Sequence, residues 1–114
     1  MDIQLGIQSS YEEKNKIAVV TITGELDLYS LDEFKTVLGT AEKSECTVIL
    51  LDLRELEFID SSGLGAIIGL QGRASKQNKK IVICPSEVVA QTLKLTGLHR
   101  VIRSVSSPED IRPV

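Results

Sequence analysis

The sequence predicts a small α/β domain, with a mixed, mostly parallel β-sheet that opens on an antiparallel hairpin and packs against α-helices. Three observations predict it. The hydrophobic period switches repeatedly between two and about 3.6 along the chain. Most strand-like runs are separated by helix-length segments, the spacing that parallel strands need for their crossovers. The first two runs are instead joined by a short charged stretch, which suits an antiparallel pair. The 114 residues, 42% hydrophobic and 25% charged, fit a single domain over residues 1–114 that buries roughly two-thirds of its unfolded surface.

Taken in order, Ile3-Leu5-Ile7 alternates with polar neighbours as a half-buried strand does. The charged stretch Glu12-Glu13-Lys14-Asn15-Lys16 reads as the hairpin loop. The β-branched run Ile17 to Thr23, closed by Gly24, reads as a more buried strand. Ser30 followed by Glu33 has the capping-box pattern, and Leu31, Phe34, Val37, Leu38 and Ala41 follow at helical spacing. Thr47 to Leu53 is apolar without alternation, as in a strand central in the sheet or covered on both faces. A second helix is predicted from Ser61 or Ser62 to about Gln77. Lys80 to Cys84 is the next strand, stopped by Pro85. Ser86 caps a third helix with Val88, Val89, Leu93 and Leu95 before Gly97. Val101 to Val105 reads as a short last strand, and Ser107-Pro108-Glu109-Asp110 opens one more turn with Pro at its first position.

Composition narrows the function. No run approaches the ~18 apolar residues of a membrane span, and Met1-Asp2-Ile3-Gln4 has neither a basic nor an apolar leader region. A cytoplasmic protein that does not insert into membranes is expected. A formal charge of −3 and only four aromatics, Tyr11, Tyr29, Phe34 and Phe58, argue against a nucleic-acid platform. Charge is unevenly spread, with 13 acids against 5 bases before Ser61 and 3 against 8 from Ser61 onward. Cys46 and Cys84 stand 38 residues apart, neither a redox pair nor a zinc spacing, and read as buried thiols.

The sharpest local feature is Phe58-Ile59-Asp60-Ser61-Ser62-Gly63-Leu64-Gly65 at the mouth of the second helix. Helix capping by Asp or Ser accounts for part of it. The glycines resist that account, since each interior Gly costs a helix about 1 kcal/mol relative to Ala. Close packing on the sheet would explain Gly69 and Gly72, whereas Gly63 and Gly65 suggest that something approaches this helix end closely. Enzymatic readings fail one by one. The glycines do not form a dinucleotide or phosphate loop, and the serines lack a nucleophile elbow. The lone His99 lies in a turn with nothing to make it a base. Glu25, Asp27, Asp52 and Asp60 lie near predicted strand ends. The first strand nevertheless ends in Ser9-Ser10 and the last offers Arg103, so a magnesium receiver site is not matched. No enzyme, cofactor or metal site is therefore expected. A serine exposed at a helix mouth has another use, because a phosphate there adds about −1.5 to −2 charge at the positive helix end without altering the fold.

These residues resemble the anti-sigma-factor antagonist family, built on the STAS domain. Three blocks carry the resemblance: Gly24-Glu25-Leu26-Asp27-Leu28-Tyr29-Ser30; Leu50-Leu51-Asp52-Leu53 with Phe58-Ile59-Asp60-Ser61-Ser62-Gly63-Leu64-Gly65; and Leu93, Leu95 and Thr96-Gly97-Leu98 before Val101-Ile102. The resemblance implies a phosphorylation-controlled binding protein. Its unphosphorylated form would bind an anti-sigma factor that is also an ATP-dependent serine protein kinase, freeing the sigma factor. The kinase would phosphorylate Ser61, and a metal-dependent serine/threonine phosphatase would reset it. Asp60 would help place the Ser61 hydroxyl, Ser62 would line the contact or cap the helix, Leu64 would belong to the contact, and Gly63 and Gly65 would admit the partner. Glu25, Asp27, Tyr29 and Ser30 would border the same surface. Two departures stand out: Leu31 where a small residue is expected, and a tail that leaves room for only a turn or two of the family's final helix. A second reading, a STAS subunit of a scaffold or lipid-transport assembly, makes Ser61 a cap that is never modified. A small nucleotide-binding or hydrolytic domain is the third.

Overall fold

In the computed structural model, which describes residues 6–111, strand β1 (Ile7–Lys14) pairs antiparallel with β2 (Ile17–Leu26). Lys14 faces Ile17 across the ladder, so the turn is only Asn15 and Lys16. Both sit at positive φ, 55° and 63°, the backbone twist that suits a two-residue hairpin. The longer charged loop expected over 12–16 is thus corrected. Glu12, Glu13 and Lys14 belong to an edge strand and are exposed at its end, where charge is a common protection against edge-to-edge pairing. Ile3 and Leu5 lie outside the described residues.

β2 has two partners on its other side. Its first half runs parallel to β3 (Val48–Leu53), and its end runs parallel to β4 (Leu56–Ile59). Within the β2–β4 pairing the register shifts between Gly24 and Glu25, a bulge that leaves Glu57 as the extra residue on β4. Gly24 sits there at φ 99°, where a Cβ would lie 2.3 Å from the Gly6 carbonyl oxygen; only glycine fits. β4 was not legible in the sequence because its inward residues are Leu56 and Ile59, three apart, with Glu57 and Phe58 exposed between them. β5 (Lys80–Pro85) pairs parallel with β3, and β6 (Arg103–Ser104) pairs parallel with β5. The order is β1-β2-β3-β5-β6, with β4 beside β2. The strand expected over 101–105 shrinks to two residues. Leu98–Arg100 wind one 3-10 turn instead, and Ile102 turns into the core.

Helices α1 (Leu31–Lys43), α2 (Ser61–Lys76) and α3 (Glu87–Thr96) share one hydrophobic cluster with the sheet. Phe34 and Leu38, Ile67 and Leu70, and Val89 and Leu93 meet Val20, Ile22, Ile49, Leu51 and Ile83 there. Alternate residues of the central strands, Val48, Leu50, Val82 and Cys84, point to the opposite face. There they form a smaller cluster with Ile17, Val19, Val105 and Ile111. Covered on both faces, β3 is buried throughout, as its unbroken apolar run predicts. Cys46 and Cys84 are buried free thiols.

Side chains also tie the helix ends down. The Lys79 ammonium donates to the carbonyl oxygens of Glu42 at 2.5 Å and Ser44 at 2.6 Å, closing the end of α1. Arg73 forms a two-pronged ion pair with Glu42, joining α2 to α1. Ser86 caps α3 through the Val89 N–H, and Gly97 ends it in the left-handed conformation at φ 79°.

Candidate functional site

The first turn of α2 is built by Asp60. Its backbone N–H donates to the Leu26 carbonyl oxygen at 3.1 Å, continuing the β2–β4 pairing by one residue. Its extended backbone then turns the side chain onto the helix, and Oδ1 accepts the N–H groups of Ser62 at 2.9 Å and Gly63 at 3.2 Å. Asp60 is therefore the cap, and Ser61 is the first helical residue. The Asp60 carboxylate is thus committed to the backbone, and it sets the position of Ser61 through the helix start. Ser61 is exposed and Ser62 half-buried.

Gly63 needs its missing side chain for an internal reason. A Cβ there would lie 2.7 Å from Leu26 Cγ and 3.0 Å from Ile59 Cγ1. The close approach inferred at this glycine is the chain's own sheet, not a partner. Gly65 differs, for nothing lies within 4 Å of the position its Cβ would take. Gly72 is equally open, so sheet packing does not explain it. At Gly69 a Cβ would meet the Arg73 guanidinium at 3.1 Å, on the path by which Arg73 reaches Glu42. Ser61, Gly65, Ile68 and Gly72 recur at helical spacing and are all exposed, so one face of α2 presents small and apolar residues to solvent.

Beside this helix end lies the β2–α1 loop. Ser30 does not form the expected capping box, since its side chain makes no cap bond to α1. Its hydroxyl instead accepts the Asp27 N–H at 3.0 Å and donates to the Glu25 carbonyl oxygen at 2.9 Å. Asp27 Oδ1 accepts the N–H groups of Tyr29 at 2.9 Å and Ser30 at 3.2 Å. The competing loop geometry wins because both side chains can satisfy backbone groups inside the turn. Ser30 is consequently buried, while Leu28 and Tyr29 stand 66% and 95% exposed at the tip. A depression of about 480 Å³, lined by Ile7, Asp27, Tyr29, Ser30 and Glu33, flanks the tip.

The structure thus brings all the expected residues into one region, in two roles. Glu25, Asp27, Tyr29, Asp60, Ser61, Ser62 and Gly65 are at least partly accessible, whereas Ser30 and Gly63 are buried and hold the frame. Leu64 packs partly against the main core. Sequence reasoning overlooked three exposed apolar neighbours: Leu28, Phe58 and Ile68. Phe58 pairs with Glu25 across the β2–β4 ladder. The signal for Ile68 was its place seven residues after Ser61, on the same helix face. Asp52 is remote in role: it is buried and ion-paired to Arg54 at 2.9 Å. Among the described residues no group of three or more His, Cys, Asp or Glu could hold a metal ion, and no helix is long and apolar enough to cross a membrane. His99 Nδ1 lies 3.3 Å from the Leu93 carbonyl oxygen, a packing contact.

Comparison with known proteins places this geometry. The STAS domain family model matches residues 8–111. An anti-sigma F factor antagonist of Paenibacillus polymyxa is 28% identical over 100 residues, covering 86% of each chain. The crystal structure of an anti-sigma factor antagonist from Mycobacterium paratuberculosis superposes with a TM-score of 0.81 at 21% identity, over 91% of this chain and 89% of that one. The Bacillus cell fate determinant SpoIIAA, solved in its phosphorylated form, gives a TM-score of 0.70 at 22% identity, over 90% of this chain and 96% of the other. Shared with these is the fold of three helices on a six-stranded sheet, antiparallel at β1-β2 and parallel elsewhere.

Proposed function

This chain belongs to the STAS domain family, and from that premise we propose that it is an anti-sigma-factor antagonist, a single cytoplasmic STAS domain that acts by binding. Its unphosphorylated form docks on an anti-sigma factor that is also a serine protein kinase, so releasing a sigma factor. The kinase passes the γ-phosphoryl group of ATP to the Ser61 hydroxyl, and a metal-dependent phosphatase removes it.

One observation carries the reading: Ser61 is exposed at the first position of a capped helix, beside a loop whose tip presents Leu28 and Tyr29. An exposed aromatic on a rigidly tied loop is what an interface anchor requires, since little ordering entropy remains to be lost on docking. The surrounding acids give the switch its sign. Asp60 adjoins the serine, and Glu25 and Asp27 flank Leu26, whose carbonyl oxygen accepts the Asp60 N–H, so a phosphate there adds like charge to an acidic region. A contact that buries the neutral hydroxyl would then have to bury a dianion.

The test is a pull-down from the native cell, with mass spectrometry of the bait for phosphate on Ser61. The captured anti-sigma factor is then titrated with three chains. Ser61→Ala should bind like the unphosphorylated wild type and accept no phosphate. Ser61→Asp should bind about tenfold more weakly or worse, the usual scale for an uncompensated charge in an interface. Equal binding by Ser61→Asp and wild type would sink the switch. Stable capture of a transport ATPase, with Ser61 unmodified, would favour the scaffold alternative instead.

A further inference from the structure

Past β6 the chain crosses the sheet face that points away from the helices. Val105 and Ile111 pack there against the cluster of Val48, Leu50, Val82 and Cys84, all of which are buried. No described helix residue belongs to that cluster. Burial and the Asp52 carboxylate push the Cys84 thiol up, and Asp110 and Glu109 add to the shift, so the acids of the last turn lie near its sulfur.

Hydrogen bonds divide this tail from the body beneath it. The last one across is the Val105 N–H to the Ile83 carbonyl oxygen at 2.9 Å. Over residues 106–111 the hydrogen bonds stay inside the tail. The Asp110 and Ile111 N–H groups donate to the Ser107 and Pro108 carbonyl oxygens, and the Ser107 hydroxyl donates to the Glu109 carboxylate. Neither Glu109 nor Asp110 forms an ion pair with a described residue, and the Arg54 guanidinium is bound to Asp52. Hollows of about 500 Å³ and 300 Å³ flank the tail, one walled by Pro108 and Glu109 and the other by Ile111. The sheet below is paired without it, since β3 is bonded to β2 on one side and to β5 on the other.

We propose that residues 106–111 are a detachable strap, which lifts as one turn about Val105 while the sheet stays paired and uncovers the apolar face around Leu50, Val82 and Cys84. Apolar contact alone holds the strap to the body. Lifting it therefore breaks no hydrogen bond and strands no buried backbone group. Segments so lightly attached open far more often than the whole fold does. The strap controls access to a face opposite the helices, and the inference stands apart from the role proposed for Ser61.

Cys84 reports the opening. The full chain is held for hours with methyl methanethiosulfonate at about pH 8.5, where a thiol that reaches solvent reacts readily as thiolate. Labelling of Cys84 is read by mass spectrometry and compared with hydrogen exchange at the β3 amides, which measures global unfolding. The open fraction seen at Cys84 should exceed that at β3 by about tenfold or more. It should barely respond to dilute urea, because lifting one turn exposes little surface. Ile111→Ala removes part of the apolar grip and should speed Cys84 labelling about tenfold. Gly63→Ala, which loosens packing on the helix side of the sheet, should speed β3 exchange and leave Cys84 labelling unchanged. No labelling of Cys84, labelling that follows β3 exchange in urea and in Gly63→Ala, or labelling indifferent to Ile111→Ala would overturn the strap.

Discussion

Replacing Gly63 by alanine tests whether the glycine at the helix mouth serves the fold or a partner. The new methyl group would stand 2.7 Å and 2.8 Å from Leu26 Cγ and Cδ2, and 3.0 Å from Ile59 Cγ1. Leu26 is 0% and Ile59 8% exposed, so neither can swing into solvent. Overpacking of this kind costs about 1–3 kcal/mol. Alanine returns at most about 1 kcal/mol in helix propensity, and less this close to the helix start. The net is a destabilisation of about 1–2 kcal/mol, or roughly 4–8 °C in melting temperature. Gly65→Ala and Gly72→Ala are the internal controls, because nothing lies within 4 Å of either Cβ. Both should gain up to about 1 kcal/mol. Thermal and urea melts of the three variants measure the stabilities, and titration with the captured anti-sigma factor separates the two open glycines. Gly65→Ala should bind more weakly despite its added stability, because Gly65 lies one turn from Ser61; Gly72→Ala should bind as wild type does. A Gly63→Ala chain as stable as wild type would refute the packing argument. Unchanged binding by Gly65→Ala would remove Gly65 from the contact.

Asp60→Ala strips the cap from α2 and should cost about 1 kcal/mol in a urea melt, with Asp60→Asn recovering most of it because an amide oxygen accepts the same N–H groups. Lys79→Met keeps the stem and deletes the ammonium that closes α1; leaving the Glu42 and Ser44 carbonyls without their donor should cost about 1–3 kcal/mol in the same assay. Burial pushes the Cys84 thiol above its ordinary range, and the nearby Asp52 carboxylate adds to the shift. Iodoacetamide at neutral pH should therefore leave Cys84 unmodified in the folded chain and modify it after unfolding in urea; rapid native labelling read by mass spectrometry would contradict the burial.

How much of this was legible in the sequence follows from which forces are local. The three helices and the central strands announced themselves because their apolar periods are long and their caps, Asp60, Ser86 and Gly97, act within a few residues. The motif at Ser61 was legible for the same reason. What escaped were features set across the fold. β4 breaks strand alternation because a bulge inserts Glu57 into its short pairing with the end of β2. β1 holds charged residues because, as an edge strand, it has solvent along much of its length. Ser30 fits a capping box in sequence, yet the Glu25 carbonyl and the Asp27 N–H take its hydroxyl first. The exposure of Leu28, Phe58 and Ile68 depends on which face each element turns to its neighbours, and a single sequence does not state that.

The cap also constrains how the proposed switch works. A helix N-terminus ordinarily favours a phosphate because its first N–H groups are free to bind it. Here Asp60 already holds the N–H groups of Ser62 and Gly63. A phosphate on Ser61 thus finds those donors taken and a carboxylate beside it. The helix dipole still attracts the added charge, but only by about 0.3–1 kcal/mol at an exposed site. Repulsion from Asp60 works against that gain, so the modified side chain has little to hold it against the surface. Phosphorylation on this reading creates no new intramolecular contact and triggers no refolding. It acts outward, by making the exposed face of α2 and the Tyr29 loop unsuitable for a partner that fits the bare hydroxyl. Asp60 therefore serves both states: its cap keeps Ser61 presented when unmodified, and its charge keeps the phosphate from settling when modified.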